Sequence, residues 1–253
     1  MKSIVLFGAG NVATHLFRAI SNTPKFRVVQ VFNHKPENLL PFKSIVETTS
    51  NIEKVVPADI YLIAVKDDAI SNIVEGLNFQ GALVVHTAGA VPLDILKNLD
   101  RTGIFYPLQT FSKIKPVDFE NIPICLEASN EEDMLILEEL AGSISNKFFR
   151  IDSAQRKSLH VAAVFVSNFV NYLYSEGEAI CTANNIPFEI LHPLIMETAV
   201  KVKELSPGEA QTGPAKRNDT KVIQAHLDML GGNQKEIYSL LTKSIQHLHG
   251  KEL

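Results

Sequence analysis

The 253-residue sequence has few cysteines and no excess of positive charge. Its two cysteines, Cys125 and Cys181, lack the spacing of a metal site and imply no disulfide framework. The formal net charge of −4 at pH 7 argues against a general nucleic-acid-binding protein, which normally carries a basic stripe. We therefore expect neither a structural metal nor a nucleic-acid partner.

Long apolar runs are also missing. The most apolar stretch, residues 159–174, contains a histidine, a serine and two asparagines, and it is shorter than the ~20 residues that a membrane-spanning helix needs. Strand-like residues begin at position 2, so we expect no signal peptide. These absences predict a soluble cytoplasmic protein with no membrane partner.

The most informative motif that is present is a glycine turn at residues 8–13, with the pattern G-x-G-x-x-A. It follows an apolar strand and opens a predicted helix, as the dinucleotide-binding fingerprint does. Gly8 permits the tight turn, and Gly10 lets a pyrophosphate approach the backbone at Asn11 and Val12, where the free N–H groups of the helix favour phosphate. The alternative is a doubly wound domain that binds no nucleotide.

The next strand, predicted over residues 26–32, completes a βαβ unit of about 30 residues. It ends in Asn33, His34 and Lys35, with no acid until Glu37, whereas NAD-binding proteins usually place an acid there. An amide and a cation suit the 2′-phosphate of NADP, because Lys35 neutralises charge and Asn33 donates hydrogen bonds. We predict NADP(H), with NAD(H) less favoured; the alternative is that Lys35 is a solvated loop residue.

The chain changes character near residue 152, where strand signals give way to long helical patterns. The patterns predict an α/β fold, with a doubly wound, Rossmann-type, mostly parallel sheet in residues 1–152 and an all-α domain in residues 153–253. Residues 153–183 are predicted to form one helix of about 31 residues, and residues 206–218 a turn-rich loop.

Four segments carry a resemblance to a known family. They are residues 58–70 (ADIYLIAVKDDAI), 85–90 (VHTAGA), 106–112 (YPLQTFS) and 211–219 (QTGPAKRND). Together they resemble the Rossmann-like plus DUF2520 family of NADP oxidoreductases, within a broader group that includes pyrroline-5-carboxylate reductase, ketopantoate reductase and 6-phosphogluconate dehydrogenase. The resemblance implies a nucleotide-binding domain and a helical domain that closes the substrate crevice and mediates dimerisation.

Ligands of open α/β sheets bind beyond the carboxyl ends of the strands. Val65 and Lys66 resemble the segment that lies beside the cofactor in related reductases. His86 and Thr87 end the following strand, where the nicotinamide is expected. His86 is a candidate proton shuttle and Thr87 a candidate donor to the cofactor amide or the substrate. The alternative for His86 is a histidine that satisfies backbone groups at a strand end.

His160 and Asn168 are polar residues in an apolar helical stretch, and regular helical spacing through Val164 places them on one face. Related reductases carry a lysine and an asparagine one turn apart on the equivalent helix, and this chain departs from that pattern. We hypothesise that His160 donates a proton or anchors the substrate and that Asn168 orients it. The alternative is a buried structural pair.

Arg217 lies in the predicted turn-rich loop and offers a rigid bidentate donor to a substrate carboxylate or phosphate, or to the cofactor phosphate. The alternative is a salt bridge to a surface acid or to Asp219, which is also the expected cap of the next helix.

Taken together, these features predict an NADP-dependent oxidoreductase that transfers a hydride between NADP(H) and a small polar carbonyl or imine, carboxylated if Arg217 binds it. One alternative is a non-catalytic NAD(P)-binding module that regulates or senses redox state, and another is a reductase that uses a deazaflavin. Apolar faces on the last two helices, together with the resemblance, predict a homodimer.

Overall fold

The computed structural model describes residues 1–76, 78 and 81–250. The predicted helical domain ends at Leu253, and its last three residues lie outside the described part. Contacts divide the chain into two compact units, Met1–Asn168 and Phe169–Leu253. This division lies beyond the boundary predicted near residue 152, because the helix that begins at Ser153 is anchored to the sheet unit by Arg156.

The described residues of the sheet unit form eight strands. They are β1 (Lys2–Phe7), β2 (Phe26–Phe32), β3 (Glu47–Thr49), β4 (Ile60–Ile63), β5 (Leu83–His86), β6 (Thr102–Pro107), β7 (Ile124–Ala128) and β8 (Phe148–Arg150). They form one sheet in the order β3-β2-β1-β4-β5-β6-β7-β8. Only the β6–β7 pair is antiparallel among the described pairings. The prediction of a mostly parallel α/β sheet followed by a helical part is confirmed.

In the described part of the sheet unit the α-helices are α1 (Asn11–Ser21), α2 (Ile70–Glu75), α3 (Glu131–Gly142) and α4 (Ser153–Ala163). The central strands are buried on both faces because their side chains alternate between two hydrophobic clusters. On β1, Ile4 and Leu6 join a cluster with Leu16 of α1, and Val5 and Phe7 join a cluster on the other face. The apolar run at the N-terminus is therefore explained by a strand covered on both sides.

Strand β1 lies between β2 and β4, so the connections after it run to opposite sides of the sheet. This is the topological switch point of a doubly wound sheet, where ligands bind beyond the carboxyl ends of the strands. The glycine turn follows β1 directly, and the fold thus places the predicted dinucleotide motif at the switch point.

The helical unit contains α5 (Val170–Ala183), α6 (His192–Lys201), α7 (Pro207–Ala210), α8 (Pro214–Arg217), α9 (Thr220–Met229) and α10 (Gly232–Leu248). The long helix predicted over residues 153–183 is present as α4 and α5, joined by a π-helical turn at Val164–Phe169. The predicted turn-rich loop contains the two short helices α7 and α8. Within the described residues, no helix has the length and apolarity needed to cross a membrane.

Candidate active site

The turn after β1 has the geometry that a dinucleotide phosphate requires. Gly8 has a φ angle of +118°, and a Cβ there would lie 2.1 Å from the carbonyl oxygen of Ala64. Gly10 is open, because a Cβ would meet nothing within 4 Å. No side chain of the described residues caps the N-terminus of α1, so its first N–H groups remain available to an anion. The residues present therefore fit a pyrophosphate at this turn.

Asn11 and Val12 contribute to the turn in different ways. The side-chain amide of Asn11 donates to the carbonyl oxygen of Phe111 at 2.8 Å, which ties the turn to the loop after β6. Val12 is partly buried against the core. The backbone N–H groups of both residues, rather than their side chains, are thus the groups suited to phosphate.

The end of β2 is organised by Asn33. Its side-chain oxygen accepts from the backbone N–H of Lys35 at 3.0 Å and from the amide of Asn38 at 3.4 Å. Its Nδ2 donates to no residue that the structure describes, so it is available to a ligand. His34 and Lys35 are exposed, and neither takes part in an ion pair of the described residues.

The ends of β4 and β5 are joined through Thr87. Its backbone N–H and its hydroxyl both donate to the carbonyl oxygen of Ile63, at 3.1 and 3.4 Å. Val65 is half-buried and Lys66 is exposed. Thr87 therefore fixes the relative position of the two strand ends, and its hydroxyl oxygen can still accept from a ligand.

His86 is completely buried at the end of β5. Its Nδ1 accepts from the backbone N–H of Ala88 at 3.2 Å, and its Nε2 has no partner among the described residues. Burial, and then the positive charge of Arg156, lower the pKa of His86 to about 4, with a small opposing effect from the Pro92 carbonyl. His86 is therefore neutral at physiological pH, and its burial favours the structural alternative over proton exchange with a substrate.

Tyr106 and His160 form a hydrogen-bonded pair at the carboxyl edge of the sheet. The Tyr106 hydroxyl lies 3.0 Å from Nδ1 of His160, and the ring centroids are 6.1 Å apart. Gly89 packs against both rings, because a Cβ there would lie 2.6 Å from Nδ1 of His160 and 2.8 Å from Cζ of Tyr106. Burial, followed by Cys125, raises the pKa of Tyr106, with Arg156 opposing and Asp67 reinforcing the shift. The pair thus combines a protonated phenol with a half-buried imidazole.

A buried arginine attaches helix α4 to the sheet unit. Arg156 is 1% exposed; it pairs with Glu127 on β7 and donates to the carbonyl oxygen of Val91 at 2.6 Å. Ser153 donates to Glu127 at 2.8 Å and accepts from the N–H of Leu93 at 3.0 Å. Because His160 lies one helical turn beyond Arg156, this network also sets the position of His160.

Asn168 is not brought into this constellation, and Arg217 belongs to the helical unit. Asn168 is exposed in the π-helical turn, whose wider winding departs from the regular spacing that predicted a common face with His160. Arg217 is exposed at the end of α8, and no ion pair of the described residues includes it. Asp219 caps α9 as expected, accepting from the N–H of Val222 at 3.3 Å.

Sequence reasoning missed Tyr106, Gly89 and Arg156 as parts of the site. Tyr106 and Gly89 lie in two of the four segments that carry the family resemblance, which was a usable signal. Arg156 lies four residues before His160, but nothing in the sequence distinguishes it from a solvated arginine. Within the described part of the chain, no group of three or more metal-ligating side chains comes together.

Comparisons with known proteins give two family matches. Residues 3–89 match the family model described as "NADP oxidoreductase coenzyme F420-dependent", and residues 122–245 match the domain of unknown function DUF2520. No functionally curated protein matches the chain.

Solved structures cover nearly the whole chain. The "putative NADP oxidoreductase BF3122" from Bacteroides fragilis is 42% identical, with 97% of this chain and 98% of that chain covered and a TM-score of 0.88. Protein TM1727 from Thermotoga maritima is 22% identical over 98% of each chain, with a TM-score of 0.75. An imine reductase from Myxococcus stipitatus in complex with NADP+ is 14% identical over 98% and 96% of the two chains, with a TM-score of 0.69.

The Thermotoga maritima and Myxococcus stipitatus structures show similarity of fold alone. The Bacteroides fragilis structure combines high sequence identity with almost complete coverage of both chains. The NADP-oxidoreductase family model and the Bacteroides fragilis structure support an NAD(P)-dependent oxidoreductase. The chain belongs to the family that joins an NADP-oxidoreductase dinucleotide domain to a DUF2520 domain.

Proposed function

We propose that the protein is an NADPH-dependent reductase of a small polar carbonyl or imine. The observation that carries the proposal is the Tyr106–His160 pair, which lies beside Gly89 at the carboxyl edge of a sheet with an intact dinucleotide turn. NADPH, when bound, supplies the hydride that reduces the C=O or C=N bond. His160 donates a hydrogen bond from Nε2 to the oxygen or nitrogen of that bond, which polarises it, and a water molecule supplies the proton that completes the reduction.

The choice of NADPH over NADH rests on the end of β2. The side-chain oxygen of Asn33 is engaged within the loop, which leaves its Nδ2 to donate to a phosphate oxygen. Lys35 is exposed beside it and has no carboxylate partner among the described ion pairs. A 2′-phosphate would be held by an amide donor and a cation, whereas the described residues 33–35 offer a free ribose hydroxyl no carboxylate.

The experiment that tests the function begins with cofactor binding. Isothermal titration is expected to give a lower Kd for NADPH than for NADH. Lys35→Ala should weaken NADPH binding by about tenfold, because a charge-assisted hydrogen bond contributes ~1.5–3 kcal/mol before solvent screening. Lys43→Ala, a charge change in a different loop, is the matched control. Tighter binding of NADH would overturn the cofactor assignment.

The second arm of that experiment measures turnover. NADPH oxidation is followed with imines and ketones, each with and without a carboxylate so that 2-oxo acids are included, and separately with a deazaflavin. His160→Ala should lower kcat by about 100-fold or more with little change in the Kd for NADPH, as expected for loss of a hydrogen-bond donor to the charge that develops on the substrate. Arg217→Ala should raise KM for carboxylated substrates only. Tight NADPH binding without turnover of any substrate would favour a non-catalytic sensing module instead.

The helical unit buries few of its apolar side chains. Both hydrophobic clusters of the described residues are built from the sheet unit, and Cys181 and Ala215 are the apolar residues buried within residues 169–250. Large side chains that remain more than 60% exposed include Leu194, Met196, Met229, Leu240 and Leu248. A unit of this size needs a buried core to be stable, so we expect these side chains to pack against another protein surface.

The solvent-accessible area of the chain, 15006 Å², also indicates that a partner surface is missing. Two separate compact units of this chain's size would expose only about 13,000 Å² whatever their arrangement, and one compact protein about 11,000 Å². Even the excess over the area of two separate compact units is larger than the roughly 800 Å² that each partner buries in an interface of standard size.

We propose that a second copy of the chain covers the apolar surface of the helical unit. Light scattering is expected to give twice the chain mass of 28.0 kDa. Leu240→Glu on α10 should dissociate or precipitate the protein, because a buried charge disfavours an apolar interface. Lys243→Glu, an exposed change on the same helix, should leave the dimer intact. A wild-type mass of 28.0 kDa at all concentrations would contradict a dimer.

A further inference from the structure

Two elements bring Tyr106 and His160 together. Tyr106 lies near the end of β6, two residues beyond Ile104, which pairs with His86 of β5. His160 lies on α4, whose first turn is held against the segment after β5 by Ser153 and Arg156. The contact is therefore imposed from two independently anchored elements and does not arise from neighbouring positions in the sequence.

Hydrogen-bond counting decides which group donates. Within the described residues, Nδ1 of His160 is the only partner of the Tyr106 hydroxyl. If Nδ1 carried the proton and donated, the half-buried phenol proton would have no protein acceptor. If the phenol donates, its proton and the lone pair of Nδ1 are both satisfied. The second arrangement leaves the proton of the neutral imidazole on Nε2.

We propose that Tyr106 is a positioning residue that holds His160 in the Nε2–H tautomer. Nε2 of His160 makes no hydrogen bond to any residue that the structure describes, so its N–H is free to donate to a ligand. The proposal rests on the proposed function only for the identity of that ligand. An N–H donor recognises an acceptor, which selects a carbonyl oxygen or an imine nitrogen over an ammonium group.

Gly89 is part of the same arrangement. A methyl group at this position would lie within 3 Å of atoms of both rings, so the rings must shift from their present positions. Gly89 does not have a positive φ angle, so the requirement for glycine here is steric rather than conformational. Gly89→Ala should therefore separate Tyr106 from His160 without straining the backbone.

The first test is spectroscopic and needs no substrate. Histidine-¹⁵N-labelled protein is examined by long-range ¹H–¹⁵N correlation, which distinguishes protonated from unprotonated ring nitrogens. We expect the neutral form of His160 to be the Nε2–H tautomer in the native protein and a mixture of tautomers in both Tyr106→Phe and Gly89→Ala. A native Nδ1–H tautomer, or an unchanged spectrum in Tyr106→Phe, would overturn the proposal.

The chain provides a matched control. Tyr238 and His226 of the helical unit form a second pair, with the hydroxyl 2.8 Å from Nδ1 and the ring centroids 5.7 Å apart. Tyr238→Phe removes the same chemical contact elsewhere and should leave the His160 signals unchanged. Thermal unfolding of Tyr106→Phe, which keeps the aromatic ring, checks that the fold is retained.

Kinetics then separate this proposal from the proposed function. Tyr106→Phe should lower kcat about three- to tenfold, the effect of one hydrogen bond, with KM for NADPH unchanged. If the spectra show the expected tautomer but no substrate is reduced, the positioning role stands and the reductase function fails. If turnover depends on His160 but is unaffected in Tyr106→Phe, the function stands and the positioning role is wrong.

Discussion

Replacing Arg156 with alanine is expected to lower the free energy of unfolding by about 3–5 kcal/mol. Removal of one partner of a buried ion pair leaves the other charge buried without a partner. Arg156 is 1% exposed and its partner Glu127 is largely buried. The substitution also leaves the carbonyl oxygen of Val91 without its donor. Urea unfolding followed by circular dichroism measures the change.

Two further variants make this prediction specific. Arg150 forms two ion pairs at the surface, and Arg150→Ala should change stability far less, because water screens exposed pairs. The double variant Arg156→Met/Glu127→Met should recover part of the loss, because apolar residues of similar volume can replace a buried ion pair at little cost. A loss of under 1 kcal/mol in Arg156→Ala would show that the pair is not buried in solution.

The same substitution should also affect the candidate site. Arg156 and Ser153 hold the first turn of α4 against the segment after β5, and His160 follows one turn later. Without Arg156, His160 should lose its fixed distance from Tyr106, and its spectrum should resemble that of Tyr106→Phe. Stability and site geometry are thus linked through one side chain.

The sheet unit was predictable because its signals are local. The apolar run before Gly8 and the alternation within it indicated a strand buried on both faces, which β1 is. The glycine pattern requires a backbone conformation that only a few residues adopt, and Gly8 has it. A few adjacent residues determine such features, so they can be predicted without knowledge of the tertiary structure.

The candidate site was predicted only in part because its contacts are between distant residues. Tyr106 and His160 are separated by more than fifty positions, and no periodicity connects them. His86 was a reasonable candidate from its position at a strand end, yet its burial depends on how the neighbouring segments pack. The π-helical turn likewise interrupts a sequence whose spacing indicated one regular helix.

The two glycines of the dinucleotide turn are expected to respond differently to alanine. Gly8→Ala should destabilise the protein by about 3 kcal/mol or more, because it combines an unfavourable φ angle with a severe clash. The added Cβ would lie 2.1 Å from the Ala64 carbonyl oxygen, which is backbone at the end of β4 and cannot rotate away. The melting temperature of Gly8→Ala should fall accordingly, and NADPH binding should be lost with it.

Gly10→Ala is the matched variant that separates stability from binding. Its φ angle of −78° suits any residue, and its Cβ would meet nothing within 4 Å, so the melting temperature should remain close to that of the native protein. The methyl group would instead occupy the space through which a pyrophosphate approaches the N-terminus of α1. Titration should therefore show NADPH binding weakened by about tenfold or more, since displaced phosphate loses charge-assisted hydrogen bonds. Native affinity in a stable Gly10→Ala variant would mean that the phosphates bind elsewhere, and the open space at Gly10 would then need another explanation.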